Sequence, residues 1–510
     1  MRLRLLPLAA LLTLAAGCAP TVPPPVMSSD IAPAAHTFTI LQLNDVYEIE
    51  PVEGGRSGGL ARVATLKRQL EAEGVPVVTV MAGDFFSPSA LGTARLDGER
   101  IAGAQMVAAL NALGLDVAAL GNHEFDLDED AFRARLAESD FAYVSANVSA
   151  VGAPFSVAPR LVLPLALADG STLRVGFTSA VLPSNPKDYV TYTEPLPAIR
   201  AQLAALDAEA DVEIALTHLA LADDATVAAT MPAVDLVLGG HEHENVYARR
   251  GPRAVPVAKA DANARTVYVH RLTVDRAAST ATVESRLVPI TDALPDEPAT
   301  AAVVAEWVER AAVGFRADGF EPGRVAVTTT EPLDGRESTV RTRAARLGAL
   351  IAEGFLNAAH DAAEPAQAAL FNGGSIRIDD VITPGPFTEY DAIRVLPFGG
   401  DVVTVRLPGA LLARVLDQGV ANAGTGGFLQ TAGIARATGP GGGDRWTVDG
   451  QPLDPAESYV VATNDFLILG LETGLDYFDA EDNPDVTRLA AHGDVRRALL
   501  DELVRQFGAP

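Results

Sequence analysis

Five apolar runs in the first half of the chain stop at residues of one chemical kind, and this recurrence constrains the fold more than any other feature. TFTILQL gives way to Asn44 and Asp45, VPVVTVMAG to Asp84, DVAALG to Asn122 and His123, EIALT to His218, and VDLVLGG to His241 and His243. Between them lie stretches with apolar residues at helical spacing, such as GGLARVATLKRQLEAEG and GAQMVAALNALGL. Strands alternating with helices predict an α/β sandwich whose strand-end loops carry function. A single polar residue after a strand is ordinarily a turn former or a helix cap. Five strand ends bearing carboxylate, amide and imidazole groups are hard to explain that way.

Their chemistry fits a two-metal site. Carboxylate, amide oxygen and imidazole are ligands for manganese, iron or zinc, and two ions about 3.5–4 Å apart need a carboxylate to bridge them. Asp84 is the natural bridge. Glycines beside the ligands, Gly83, Gly121, Gly239 and Gly240, allow tight turns and close approach of backbone to a substrate.

The ordered string D-x-Y, G-D, G-N-H-E-F-D, T-H and G-G-H-x-H resembles the calcineurin-like metallophosphoesterases, and more narrowly the bifunctional 5'-nucleotidase and UDP-sugar hydrolase family. The likeness runs from residue 38 to about 290 and continues, in a second block, almost to the end of the chain. It implies a four-layer α/β/β/α sandwich followed by a smaller α+β substrate-binding domain. It also implies two divalent metal ions: Asp84 bridging, Asp45 and His243 on one ion, and Asn122, His218 and His241 on the other. His123 would stabilise phosphoryl charge or protonate the leaving group, with Asp126 orienting its ring, and Glu124 would support the loop rather than the chemistry. The sequence departs from the pattern at Tyr47, where the family usually has a ligating histidine. Tyr47 ligates as a phenolate, points away, or marks a site that holds one metal. His36 and His270 have no partner motif and read as surface or packing residues.

The amino terminus has its own logic. Residues 1–18, MRLRLLPLAALLTLAAGC, carry Arg2 and Arg4, an apolar stretch and then small residues before Cys18, the pattern of an export signal too short to span a membrane. LAAGC resembles a bacterial lipobox, so Cys18 is expected to carry a lipid and to anchor the protein in the cell envelope, periplasmic or at the cell surface. Residues 19–36 are proline-rich and read as a tether. Cys18 is the only cysteine, so no disulfide supports the fold.

A chain of 510 residues, 48% apolar and 21% charged, is globular and long enough for two or three domains of about 150 residues each. Its net charge of −27 excludes nucleic-acid polymers and anionic membrane surfaces as broad electrostatic partners. The first domain is expected over 37–292, a linker helix over 293–323 and the second domain over 324–510.

The second block contains FNGGSIR, VLPFGGD, GGFLQTAG and VATNDFL, which resemble a nucleotidase substrate-binding domain. A nucleotide offers an anion and a flat base, so its site calls for arginine forks and aromatic faces. The resemblance implies phosphate contacts from Arg343, Arg377 and Asn372, a base between Phe398 and Phe466, and ribose hydroxyls on Asp476. Arg346 and Ala349 stand where asparagines are usual, and LILGLETGL, between Phe466 and Asp476, is longer and more apolar than the family's glycine-rich turn. The expected activity is release of phosphate and nucleoside from a 5'-nucleotide. A 2',3'-cyclic phosphodiesterase, a nucleotide-sugar pyrophosphatase, a thiosulfohydrolase and a non-catalytic tethered nucleotide-binding protein are the alternatives on the same scaffold.

Overall fold

The computed structural model describes residues 36–438 and 444–508. The expected signal segment, Cys18, the tether as far as residue 35 and the glycine run at 439–443 lie outside the described residues.

The apolar runs form strands β1 (His36–Leu43), β2 (Val77–Ala82), β3 (Val117–Ala119), β4 (Val212–Leu216) and β5 (Leu236–Leu238). Strands β1 to β3 run parallel in one six-stranded sheet, extended at one edge by Ala142–Val144 and at the other by the hairpin of Thr266–Asp275 and Thr280–Pro289. Strands β4 and β5 are the parallel centre of a second six-stranded sheet. The two-residue repeat of a strand sends alternate side chains to opposite faces. Phe38 and Ile40 of β1, Val78 and Val80 of β2, and Val212, Ile214 and Leu216 of β4 therefore share one apolar layer between the sheets.

Leu41, Leu43 and Met81 face outward into the layer built by helices Leu60–Glu71 and Ala104–Leu113. On the far side, Ala215 and Val237 meet helices Pro195–Leu206 and Leu221–Thr230. The order helix, sheet, sheet, helix is the expected four-layer sandwich. Full burial of each large apolar side chain is worth about 1.5–3 kcal/mol, and this layering is what holds the fold without disulfides.

The long helix Pro298–Ala317 begins with the Glu297 carboxylate accepting the Thr300 amide at 2.7 Å and with proline at its first position, where a missing N–H costs nothing. It packs along Leu60–Glu71 and Ala104–Leu113, burying Ala311, Ala312 and Phe315. The helix expected to bridge the domains is thus laid against the first. The second domain is a mixed five-stranded sheet in the order Leu429–Ala432, Ala368–Asn372, Ser458–Asn464, Asp401–Pro408, Thr487–Asp494. Helices Arg346–Ala358 and Val495–Phe507 cover one face of it and Gly409–Ala421 the other. Among the described residues no helix is long and apolar enough to cross a membrane.

Candidate active site

Asp45, Asp84, His241 and His243 have φ values of 52°, 57°, 93° and 60°, in the left-handed region that side chains with a Cβ seldom occupy. Such strain costs about 1–3 kcal/mol per residue and persists only where the surroundings impose it. Here it turns the chain sharply at the strand ends and brings the side chains of both sheets together. Two glycines make the room. A Cβ on Gly121 would lie 2.1 Å from Asp84 Oδ1, and one on Gly240 would lie 2.5 Å from the Ala82 carbonyl oxygen and 2.8 Å from His218 Nδ1.

The gathered groups are poised for cations. His218 Nδ1 donates to the Ala82 carbonyl at 2.8 Å, so its Nε2 points inward, 3.1 Å from Asp84 Oδ2 and 3.8 Å from Asp45 Oδ1. His243 Nε2 lies 3.6 Å from Asp45 Oδ1, and His241 donates its backbone N–H to Asp45 while its ring sits 5.5 Å from that of His218. One ligand atom each from Asp45, Asp84 and His218 falls within a 4.8 Å group. His218 Nε2 and Asn122 Oδ1 are buried and have no hydrogen-bond partner. Buried polar atoms without partners are rare, and the first of these stands beside the buried carboxylates of Asp84 and Asp45. The donor set fits divalent metal.

Tyr47 is buried, with its hydroxyl 3.0 Å from His243 Nε2 and 3.3 Å from Asp84 Oδ2. It points into the cluster, so the reading in which it faces away does not apply. Burial, then the charges of Asp84 and Asp45, raise its pKa well above the usual phenol value and favour the protonated form.

His123 follows β3 and binds Asp126 through Nδ1 at 2.7 Å, while its backbone N–H donates to Asp84 Oδ1 at 2.8 Å. Burial alone would lower its pKa, but Asp84 and Asp126 outweigh it and raise the value. Ser87 and Asn185 hold Asp126 in turn, at 3.0 and 2.8 Å. Glu124 accepts the backbone N–H groups of Asp84, Phe85, Phe86 and Gly121, the loop-supporting place the sequence suggested.

His123 and Asp126 open onto a cavity of about 540 Å³ that is also lined by Asn372, Arg377, Phe398 and Phe466 of the second domain. The Arg377 guanidinium lies 5.4 Å over the Phe398 ring. Two expected residues are elsewhere. Arg343 is exposed and donates to Thr339 Oγ1; one helical turn places Arg341, two residues earlier, inward against Glu337 instead. Asp476 is exposed and does not line the cavity, because the longer LILGLETGL segment carries Glu472 there, where it accepts from Asn372 at 2.8 Å. His270 is a packing residue between Gln42 and Ser285, as expected of it.

Sequence reasoning passed over several residues. Lys259 is 1% exposed and paired with Asp224 at 2.8 Å and with Glu242; it also donates to the carbonyls of Leu219 and Gly240, tying together the loops of His218 and His241. A lone lysine inside the apolar run VPVAKA was a legible signal of a buried ion pair. Asn185 and Lys187, in LPSNPKDY, line the cavity and carried no comparable signal.

Residues 38–245 match the family model for the calcineurin-like phosphoesterases, and residues 324–480 match that for the 5'-nucleotidase C-terminal domain. The 5'-nucleotidase of Bos taurus is 28% identical over 449 residues, 79% of this chain and 76% of its own length. Among solved structures, a 5'-nucleotidase precursor from Thermus thermophilus has a TM-score of 0.74 at 25% identity, covering 92% of this chain and 97% of that one. A sulfate thiohydrolase from the same species, 15% identical with a TM-score of 0.68 over 93% of this chain and 95% of its own, shares the fold alone.

Proposed function

The chain belongs to the calcineurin-like phosphoesterases that carry a 5'-nucleotidase C-terminal domain, and from that premise we propose that it is an exported, dinuclear 5'-nucleotidase. It is a metal-dependent phosphoester hydrolase acting on nucleotides. One observation carries the finer reading: His123 and Asp126 line the same cavity as Asn372, Arg377, Phe398 and Phe466, so a catalytic edge and a nucleotide-sized pocket are one space.

Asp45, Asp84, Asn122, His218, His241 and His243 would hold two divalent ions, manganese, zinc or iron. Bound ions lower the pKa of water and draw charge from a phosphoryl group. Around them the chain's own groups divide the work. Arg377 neutralises phosphate, and Phe398 and Phe466 offer faces to the base. Glu472 and Asn372 are the sugar-facing polar pair in place of Asp476. His123, kept upright by Asp126, hydrogen-bonds the phosphoryl or leaving oxygen and supplies its proton. The amino-terminal pattern supports export, with a lipid on Cys18 as membrane attachment; substitution Cys18→Ser should abolish incorporation of labelled fatty acid.

Phosphate release from 5'-AMP, 2',3'-cyclic AMP, a nucleotide sugar and an aryl phosphate, with metal content by elemental analysis, tests the activity. Close to two ions per chain with preferential 5'-AMP turnover is the expected result. Metal binding with turnover of the cyclic or anhydride substrate instead would replace the 5'-nucleotidase assignment. A chain that takes up no metal and releases no phosphate would be a binding protein.

A further inference from the structure

The imidazoles of this site are each steadied through Nδ1 or by their surroundings, and the source of that support differs. His218 is held by the Ala82 carbonyl and His123 by Asp126, both from the first domain. His243 is held from the second: its Nδ1 lies 3.0 Å from Asp379 Oδ2. Asp379 is 7% exposed and is itself fixed, with Oδ1 accepting the Glu337 backbone N–H at 2.9 Å and the Arg265 guanidinium 3.8 Å from Oδ2. Its backbone is held in the left-handed region, φ 41°, and its carbonyl accepts from Arg265 of the first domain at 3.3 Å. The contact is built from both sides of the domain boundary.

We propose that Asp379 is a positioning residue through which docking of the second domain sets the metal affinity of the His243 site, an inference that rests on the dinuclear reading above. A carboxylate on Nδ1–H fixes the tautomer, so that Nε2, 3.0 Å from the Tyr47 hydroxyl and 3.6 Å from Asp45 Oδ1, keeps its lone pair for a cation and becomes a stronger donor. Loss of such an outer partner typically weakens metal binding by about 10- to 100-fold. Because Asp379 reaches His243 only when the domains are docked, metal on the His243 site and the docked arrangement must favour each other reciprocally. The ion held by Asn122 and His218 has no partner of this kind from the second domain among the described residues.

Titration of the full chain against a metal-chelating indicator, with manganese as the probe, tests this for the parent, Asp379→Asn and Asp379→Ala. The expected result is one ion weakened about 10- to 100-fold in Asp379→Ala, the other unchanged, and Asp379→Asn between parent and alanine because it keeps an acceptor without the charge. Unchanged affinity for both ions, or equal weakening of both, at an unaltered thermal midpoint would overturn the proposal. If Asp379→Ala does not fold, Asp379→Asn decides on the same criterion. A parent chain that takes up no metal would instead overturn the dinuclear reading itself.

Discussion

At the scale of single residues the proposed chemistry concentrates on His123. Substitution by alanine should lower kcat by about 10²- to 10⁴-fold while leaving metal content unchanged, measured by phosphate release and elemental analysis, since in the proposed mechanism its ring contacts substrate rather than metal. Tyr47→Phe tests a different contact. The hydroxyl lies within 3.3 Å of both His243 Nε2 and Asp84 Oδ2, so its removal should weaken metal binding by about tenfold in an indicator titration. These roles differ in how readable they were. The groups that the structure gathers at the strand ends were legible because their types recur after each strand. Arg343 was misplaced because sequence spacing alone does not say which of two nearby arginines a helical turn directs inward. Asp476 was misplaced because only the path of the backbone shows that Glu472, four residues earlier, lines the cavity instead.

Elements carry the next level of consequence. The loops after β4 and β5 are joined underneath by Lys259, whose ammonium is enclosed by Asp224, Glu242 and two carbonyls. Lys259→Ala leaves Asp224 buried and unpaired, a change that costs about 3–5 kcal/mol, and denaturant unfolding should read it. Strand β4 has a second charge peculiarity at its other end. Burial, reinforced by Asp235, raises Glu213 to about 8 from an ordinary 4.5. A carboxyl whose folded pKa is raised stabilises the fold while protonated, so that contribution is complete below about 4.5 and is lost as pH rises through about 8. Glu213→Gln should therefore gain stability relative to the parent across that window and show no such gain at pH 4, measured by thermal midpoints in a pH series.

For the whole molecule the domain boundary is the informative feature. Arg394 of the second domain is enclosed by carboxylates of both: Glu48 of the first at 3.9 Å, with Asp380 at 3.8 Å and Asp391 at 3.6 Å. Phe320, just past the long helix, lies beneath the guanidinium groups of Arg496 and Arg497, at 4.6 and 4.0 Å. Arg394→Ala would leave the half-buried Glu48 without its cation, loosening the docked arrangement. Limited proteolysis should then cut faster between residues 318 and 324, with the unfolding of each domain otherwise retained. Chelation should act on the same molecule from the other side. Removal of bound metal abolishes turnover and lowers the thermal midpoint, because an ion that binds only the folded site stabilises it by mass action, about 2.7 kcal/mol at a hundredfold excess over Kd.

The sequence by itself determined the layers and the kinds of side chain that stand at the strand ends. Hydrophobic period separates strand from helix locally, and a metal-ligating side chain is recognisable by type wherever a strand ends. The tertiary structure alone decided which groups meet. Whether Tyr47 turns in or out, whether Arg341 or Arg343 faces Glu337, and that Asp379 should reach His243 across 136 positions of chain are matters of side-chain direction and long-range packing. No short window of residues encodes them, because the energy of each contact depends on elements that approach only after both domains have folded.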